Sequence, residues 1–303
     1  MLLARLISAV GLNSEQEFLS DINSPNIERQ IDAVIRGDLT SVLSTETLAS
    51  HWGIGQEIAR RTLDVTTQLG MRAILHPAQR CFRTAMPHLC YPHLKGTYYA
   101  DTLFMNTKSV QGFTCANVIG NGLGLTKFWP MVSKADSHES LQHFVQDVGI
   151  MEQLVTDGDP TMAYKVWKAT IREYRIKQTT TEPCSPWQNR AELDVRAVKC
   201  GMRRFTKKTR PPKRLWCSLG IHICALQGFT TYHSVNLRGG CGAEFVLGYT
   251  TDISAYVQQE WYETIWYGNR DRESNIGQWI GVAEGIGGGD CFWILPISAK
   301  PIS

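Results

Sequence analysis

The sequence predicts an α/β fold, on three observations. Between Thr97 and Arg204, period-2 and period-3.6 patterns follow one another in the order three strands, helix, strand, helix, strand, helix. The helices of that stretch open on capping or proline signatures, so local chemistry sets where they begin. Hydrophobic residues fill 43% of the 303 positions and charged residues 19%, which supports packed cores in about two domains and excludes wholesale disorder. The predicted organisation is a helical region over 1–95, an α/β core over 96–214 that ends in a basic helix, and a connector with a small β-rich region over 215–303.

Up to about Arg72 the chain reads helical. Ser44 caps a helix containing Leu48 and Trp52, Gly53-Ile54-Gly55 breaks it, and Ile58, Ala59, Thr62 and Leu63 recur at helical spacing in a second. Small residues where the two helices would cross, with glycine at the turn, make this segment look like a helix-turn-helix. Arg60 and Arg61 then lie near the start of its recognition helix; an ordinary helical hairpin has the same pattern. His76, Cys81, His88, Cys90 and His93 follow, at spacings that fit no standard zinc pattern, and zinc is not assigned.

Thr97 to Thr107 alternates and is rich in Tyr, Thr and Phe. Gly112 to Ile119 and Leu123 to Val132 follow as strands around Gly120-Asn121-Gly122, a hairpin-type turn. Asp136-Ser137-His138-Glu139 resembles a capping box and opens a helix with Leu141, Phe144, Val145 and Val148 on one face. Gln153 to Thr156 is a short buried strand. Asp159-Pro160 starts the next helix, running to about Arg175, and Ile176 to Thr180 is a strand again. Ser185-Pro186-Trp187-Gln188 starts the last helix with cap, proline and glutamine in order, and Arg210-Pro211-Pro212 stops it. Residues 215–253 are apolar without a clear period. From Ala255, Trp261, Trp266, Trp279 and Trp293 punctuate short β-like stretches that read as a small barrel. The glycine run 285–289 opens no helix, so a phosphate loop is not read there.

Composition narrows the function classes. No run approaches the ~18 apolar residues of a membrane span, so no membrane partner is expected. Met1 to Val10 carries Arg5 and no cleavage site and is read as a helix, not a signal peptide. Nine scattered cysteines without CxxC spacing point to reduced, intracellular thiols. The net charge is only +3, yet Arg196, Lys199, Arg203, Arg204, Lys207, Lys208, Arg210, Lys213 and Arg214 fall within 195–214 with no acidic residue among them. Charge concentrated in this way points to an anionic partner at one place.

Three carboxylates stand at informative positions. Asp101 is inside a strand, where an acidic residue is costly without a partner or a task. Asp157 follows Leu154-Val155-Thr156, at the carboxyl end of a buried strand, where open α/β sheets bind ligands. Glu192 is two turns into the Pro186 helix, and Arg196 and Lys199 project from the same face four and seven residues on. Taken alone, Glu192 and Arg196 make an ordinary surface pair. Three converging carboxylates, however, cannot all stay ionised without a cation, and oxygen-only ligands suit Mg²⁺ or Mn²⁺.

Tyr99-Ala100-Asp101-Thr102-Leu103-Phe104, Val155-Thr156-Asp157-Gly158-Asp159 and Ser185-Pro186-Trp187-Gln188-Asn189-Arg190-Ala191-Glu192 resemble the integrase core of copia-type retrotransposon polyproteins. Gly277 to Gly285 and Cys291 to Pro296 are similar to the segment after that core. The resemblance implies an RNase H-like fold, a five-stranded mixed sheet with helices on both faces. It implies transfer of element DNA ends into target DNA by in-line transesterification, with Asp101, Asp157 and Glu192 holding two Mg²⁺ (or Mn²⁺) ions about 3.5–4 Å apart. Candidate nucleic-acid contacts are Gln188, the nine cations from Arg196 to Arg214, and Arg60 and Arg61. A homo-oligomer and a nuclear location are further expectations. The alternatives are an inactive DNA-binding relic of a retroelement and an unrelated α/β protein whose basic run binds nucleic acid or directs nuclear import.

Overall fold

A computed structural model describes residues 44–68, 86–157, 165–182, 190–231, 239–268, 274–283 and 291–297. In chain order the elements are α1 (Thr45–Trp52), α2 (Gln56–Val65), β1 (His93–Phe104), β2 (Cys115–Gly120) and β3 (Thr126–Met131). Next come α3 (Ser137–Asp147), β4 (Ile150–Thr156), α4 (Lys165–Glu173), β5 (Lys177–Thr180) and α5 (Ala191–Thr209). The chain continues with α6 (Trp216–Phe229), α7 (Gly242–Leu247), α8 (Ser254–Val257), β6 (Thr264–Gly268), β7 (Ser274–Val282) and β8 (Phe292–Pro296). They fall into two compact units, one drawn from residues 76–249 and one that joins residues 1–75 to residues 250–301.

In the first unit the sheet order is β3-β2-β1-β4-β5. The meander β1-β2-β3 is antiparallel, whereas β4 and β5 run parallel to β1. Parallel neighbours need crossover connections, and α3 and α4 provide them. This is the α/β mixed sheet the sequence predicts, and its order is consistent with an RNase H-like fold. Alternation decides the layers. Tyr98 and Ala100 of β1 join Ile119, Leu141, Phe144 and Trp167 in one core, with Phe144 edge-on to Tyr98 at 5.4 Å and to Trp129 at 5.7 Å. The opposite face carries α5 on β1 and β2, and α6 on β3. Covered on both sides, β2 is buried at every position.

Several local expectations shift. The turn after β2 is longer than a two-residue hairpin, running through Gly122 and Gly124 at φ 65° and 101° before Thr126 begins β3. The capping box lies three residues earlier than predicted. Ser133 accepts from the Ala135 amide and Asp136 from the Ser133 amide, around a 3-10 turn at Lys134–Asp136. Asp136 therefore caps that turn, and its side chain makes no cap bond to α3. The stretch without clear period contains α6 and α7. Helix α6 packs on β3, α5 and α7 together, so it is apolar nearly all round and shows no amphipathic stripe. His222 on α6 lies edge-on to Phe205 at 5.7 Å, and burial pushes its pKa down to about 3.

In the second unit α1 and α2 form a helical hairpin around Gly53, at φ 62°, and bury Leu48, Trp52, Ala59 and Thr62. Trp52 Nε1 donates to the Tyr256 carbonyl at 3.0 Å. Thr67 and Ile253 tie the strand-like edges together, Thr67 N donating to Thr251 O and Ile253 N to Thr67 O, both at 2.9 Å. The small β-rich region is the antiparallel sheet β6-β7-β8 around fully buried Trp261 and Trp279; among the described residues it does not close into a barrel. The N-terminal 43 residues, His76, Cys81, the helix starts at Pro160 and Pro186, and the glycine run 285–289 lie outside the described residues. No described helix is long and apolar enough to cross a membrane.

The contact of α6 with the sheet requires a glycine. A Cβ at Gly220 would stand 2.5–2.9 Å from three Phe128 ring atoms. Gly220→Ala is expected to lower stability by about 1–2 kcal/mol, because overpacking costs more than the ~1 kcal/mol that alanine gains in a helix. Urea unfolding reads the difference; a variant more stable than wild type would contradict this packing.

Candidate functional site

Strand register builds the site. Ala100 of β1 pairs with Thr156 of parallel β4, so Asp101 and Asp157, the residue just past β4, follow next on neighbouring chain segments, and the strand axes lie about 4.8 Å apart. Both stand toward the carboxyl ends of the parallel strands. Asp101 faces the α5 side, since its antiparallel partner is Val118 while its neighbours Ala100 and Tyr98 belong to the α3 core.

The first turn of α5 is seated on the β2–β3 turn. A Cβ at Gly120 would meet Asp194 Cγ at 3.1 Å, and one at Gly122 would meet the Arg190 side chain at 3.4–3.5 Å. Asp194 thus points to the sheet, and Glu192, two residues earlier and about 200° round the helix, points to solvent. Asp194 is an unforeseen member of this region. Burial pushes its pKa up to about 6, opposed by the Arg190 charge, and among the described residues its Oδ2 accepts no hydrogen bond.

The electrostatics converge on Asp101. Burial contributes most to pushing its pKa above the ordinary carboxylate range; the Thr102 amide, 2.7 Å from Oδ1, pulls the other way. The charges of Asp157 and Glu192 both push it further up, and Lys134 pulls it down. Asp101 is half-buried, while Asp157 and Glu192 are exposed. Among the described residues no three His, Cys, Asp or Glu side chains are close enough to hold one metal ion as they stand. Lys134 was missed because it lies far from the carboxylates in sequence and belongs to no helical face; only the folded chain brings it within reach of Asp101.

Helix α5 separates its two faces cleanly. Val195, Val198, Met202 and Phe205 are buried. Glu192, Arg196, Lys199, Arg203 and Lys207 recur every three or four residues on the solvent side, with Arg204 and Lys208 beside them. Arg210 ends the helix in the left-handed region at φ 48°, its amide donating to Thr206 O at 3.1 Å. Beyond it Lys213 is exposed and Arg214 is half-buried, with its carbonyl accepting from the Val110 amide. Gln188 lies outside the described residues. Arg60 and Arg61 belong to the other unit. Arg60 is ion-paired to Glu57 at 3.0 Å and Asp64 at 3.2 Å, and Arg61 to Glu57 at 2.8 Å, so acidic neighbours on α2 already offset their charge. His93 Nε2 lies 2.8 Å from His88 O, and the Cys90 thiol donates to Met86 O.

No family model matches the chain, and no curated protein matches it in sequence. Among solved structures the chain is similar to the catalytic core domain of BIV integrase, at 13% identity and a TM-score of 0.37, over 50% of this chain and 93% of that one. The likeness is one of shape, and the assignment of the sheet rests on this chain's own strand order.

The Asp101 environment has a signed consequence. Its folded pKa is above the unfolded one, so the native state keeps the proton where the unfolded chain has released it. The associated stability is present below the ordinary carboxylate value and is lost as pH rises through the folded value. In EDTA, Asp101→Asn is expected to remove that loss, raising the melting temperature relative to wild type by an amount that grows from pH 4 to pH 7. Thermal melts across that range check it; an Asn variant less stable at pH 7 would contradict the placement of the carboxylates.

Proposed function

We propose that the chain is a polynucleotidyl transferase of the retroelement integrase type, joining DNA 3′ ends to target DNA. The observation that carries this reading is the meeting of negative charge from Asp101, Asp157 and Glu192 at the carboxyl ends of parallel strands, at the start of a helix whose exposed face is basic. Hard oxygen donors whose charges oppose one another match the chemistry of Mg²⁺ or Mn²⁺. Asp101, Asp157 and Glu192 would hold the ions, the two exposed side chains closing on the half-buried one. Bound divalent ions supply an acidified water or a positioned 3′-hydroxyl and neutralise charge on the leaving oxygen.

The rest is the work of the chain. Arg196, Lys199, Arg203 and Lys207 grip successive phosphates along α5, holding the scissile bond at Glu192. Arg204, Lys208, Arg210 and Lys213 extend the cationic surface, and Gln188 and Arg214 belong to the same proposed contact. Arg60 and Arg61 would reach DNA only by exchanging their acidic partners for phosphate. Binding of this kind falls steeply with salt. The same reading places the protein in the nucleus as a homo-oligomer. The basic run would also serve a relic without activity, so catalysis is the deciding property.

A strand-transfer assay with duplex oligonucleotides and supercoiled plasmid in Mn²⁺ or Mg²⁺ decides it. Asp157→Asn is expected to lower joining by about 100-fold or more, the scale of loss when an electrostatic stabiliser of the transition state is removed, with plasmid binding kept within about twofold. Joining that is equal in the variant, or absent from wild type, would overturn the enzyme.

A further inference from the structure

The β2–β3 turn seats the start of α5, and a second element seats the turn. Helix α7 begins at Gly242, where a Cβ would stand 2.6 Å from Leu125 N and 2.7 Å from both Gly124 C and Leu123 O. All three are backbone atoms, so α7 and the turn meet main chain to main chain. Leu125, Cys241 and Ala243 share the core of Ile119 and Phe144 on the α3 side of the sheet. Asp194 and Arg190 reach the same turn at Gly120 and Gly122 from α5, on the opposite face. The turn is therefore gripped from both faces.

Helix α7 is the fixed side of that grip. Cys241 is fully buried, bridges Thr231 as an antiparallel pair, and caps α7 by accepting from the Glu244 amide at Sγ. These ties keep the start of α7 from backing away. The turn is braced internally: Asn121 N donates to Leu125 O at 3.1 Å and the Leu123 amide to Asn121 Oδ1 at 2.9 Å. A braced turn pushed at residues 123–125 moves as one piece, and its other end carries the glycines that meet Asp194 and Arg190. Close-packed interiors transmit such a push. Glu192 stands between Arg190 and Asp194 in the chain, so its carboxylate travels with them.

We infer that Gly242 is a positioning residue for Glu192, acting through the β2–β3 turn from the far face of the sheet. Position 242 sets the turn, the turn sets the start of α5, and that sets the reach of Glu192 to Asp101. Any side chain at 242 drives the turn off by some tenths of an ångström, because only backbone atoms are there to give way. The role rests on the proposed divalent site, where Glu192 must close on the half-buried Asp101; the seating of α5 by the turn does not depend on that reading.

Two measurements on the full chain test it: Mn²⁺ affinity, from the paramagnetic resonance of the free aqua ion, and hydrogen exchange of the peptides over 118–126 and 190–196. Gly242→Ala is expected to weaken Mn²⁺ about tenfold, the scale of loss when the support of a metal ligand is removed, and to speed exchange in both peptides. Ala243→Gly loosens the same helix without adding an atom against the turn; it lowers the melting temperature and leaves Mn²⁺ affinity within about twofold. Asn121→Ala cuts the brace and weakens Mn²⁺ without altering either helix, and it decides the matter by the same two measurements if Gly242→Ala does not fold. The positioning role is overturned if exchange rises over 118–126 alone, or if the variants bind Mn²⁺ as tightly as a wild type whose site is lost in Asp101→Asn. Mn²⁺ binding that is the same in wild type and Asp101→Asn overturns the divalent site instead, and exchange over 190–196 then judges Gly242 by itself.

Discussion

Negative charge held together at the carboxyl end of a parallel strand pair is the constraint on which this protein turns. Asp101 is taken partly out of water and placed in the field of two further carboxylates, an arrangement that stability alone would remove. Carboxylates perturbed in this way cluster at functional sites. The parallel register of β1 and β4 runs to Ala100 and Thr156, the residues just before Asp101 and Asp157, and so keeps these two backbones about one strand spacing apart.

The third member depends on helix seating. Helix α5 is held from below by its apolar face and at its first turn by the fit of Asp194 and Arg190 against Gly120 and Gly122. That fit sets where Glu192 stands relative to Asp101. From there the solvent face of the helix changes sign in about one turn, from Glu192 to Arg196, and Lys199 continues it one turn on. On the proposed reading, a substrate with a phosphate at every step would be held by the cationic part and presented to the acidic part. Glycine at position 120 is thus as much a part of the site as the carboxylates, although it contributes no chemical group.

Much of this was legible in the sequence because it is local. The strand meander, the alternation around Asp101, the position of Asp157 just after a buried strand and the one-sided cations of α5 are short-range patterns that folding preserves. What could not be read depends on contacts between distant segments. Helix α6 hides its period because it is buried on almost every side. The capping box at Ser133 and Asp136 was displaced because the chain enters α3 through a 3-10 turn, which a four-residue pattern does not reveal. Lys134 and Phe104 are 30 positions apart and meet only across the end of β2. The pairing of the N-terminal helical hairpin with the C-terminal sheet in one unit has no local signature either.

A divalent centre shared by Asp101, Asp157 and Glu192 is tested, without reference to catalysis, by diffraction from crystals of the full chain grown in Mn²⁺. Anomalous peaks bounded by these three carboxylates are expected in the wild-type protein, with their loss in Asp101→Asn. Manganese bound elsewhere, with Glu192 turned away from Asp101 at saturating metal, would contradict it.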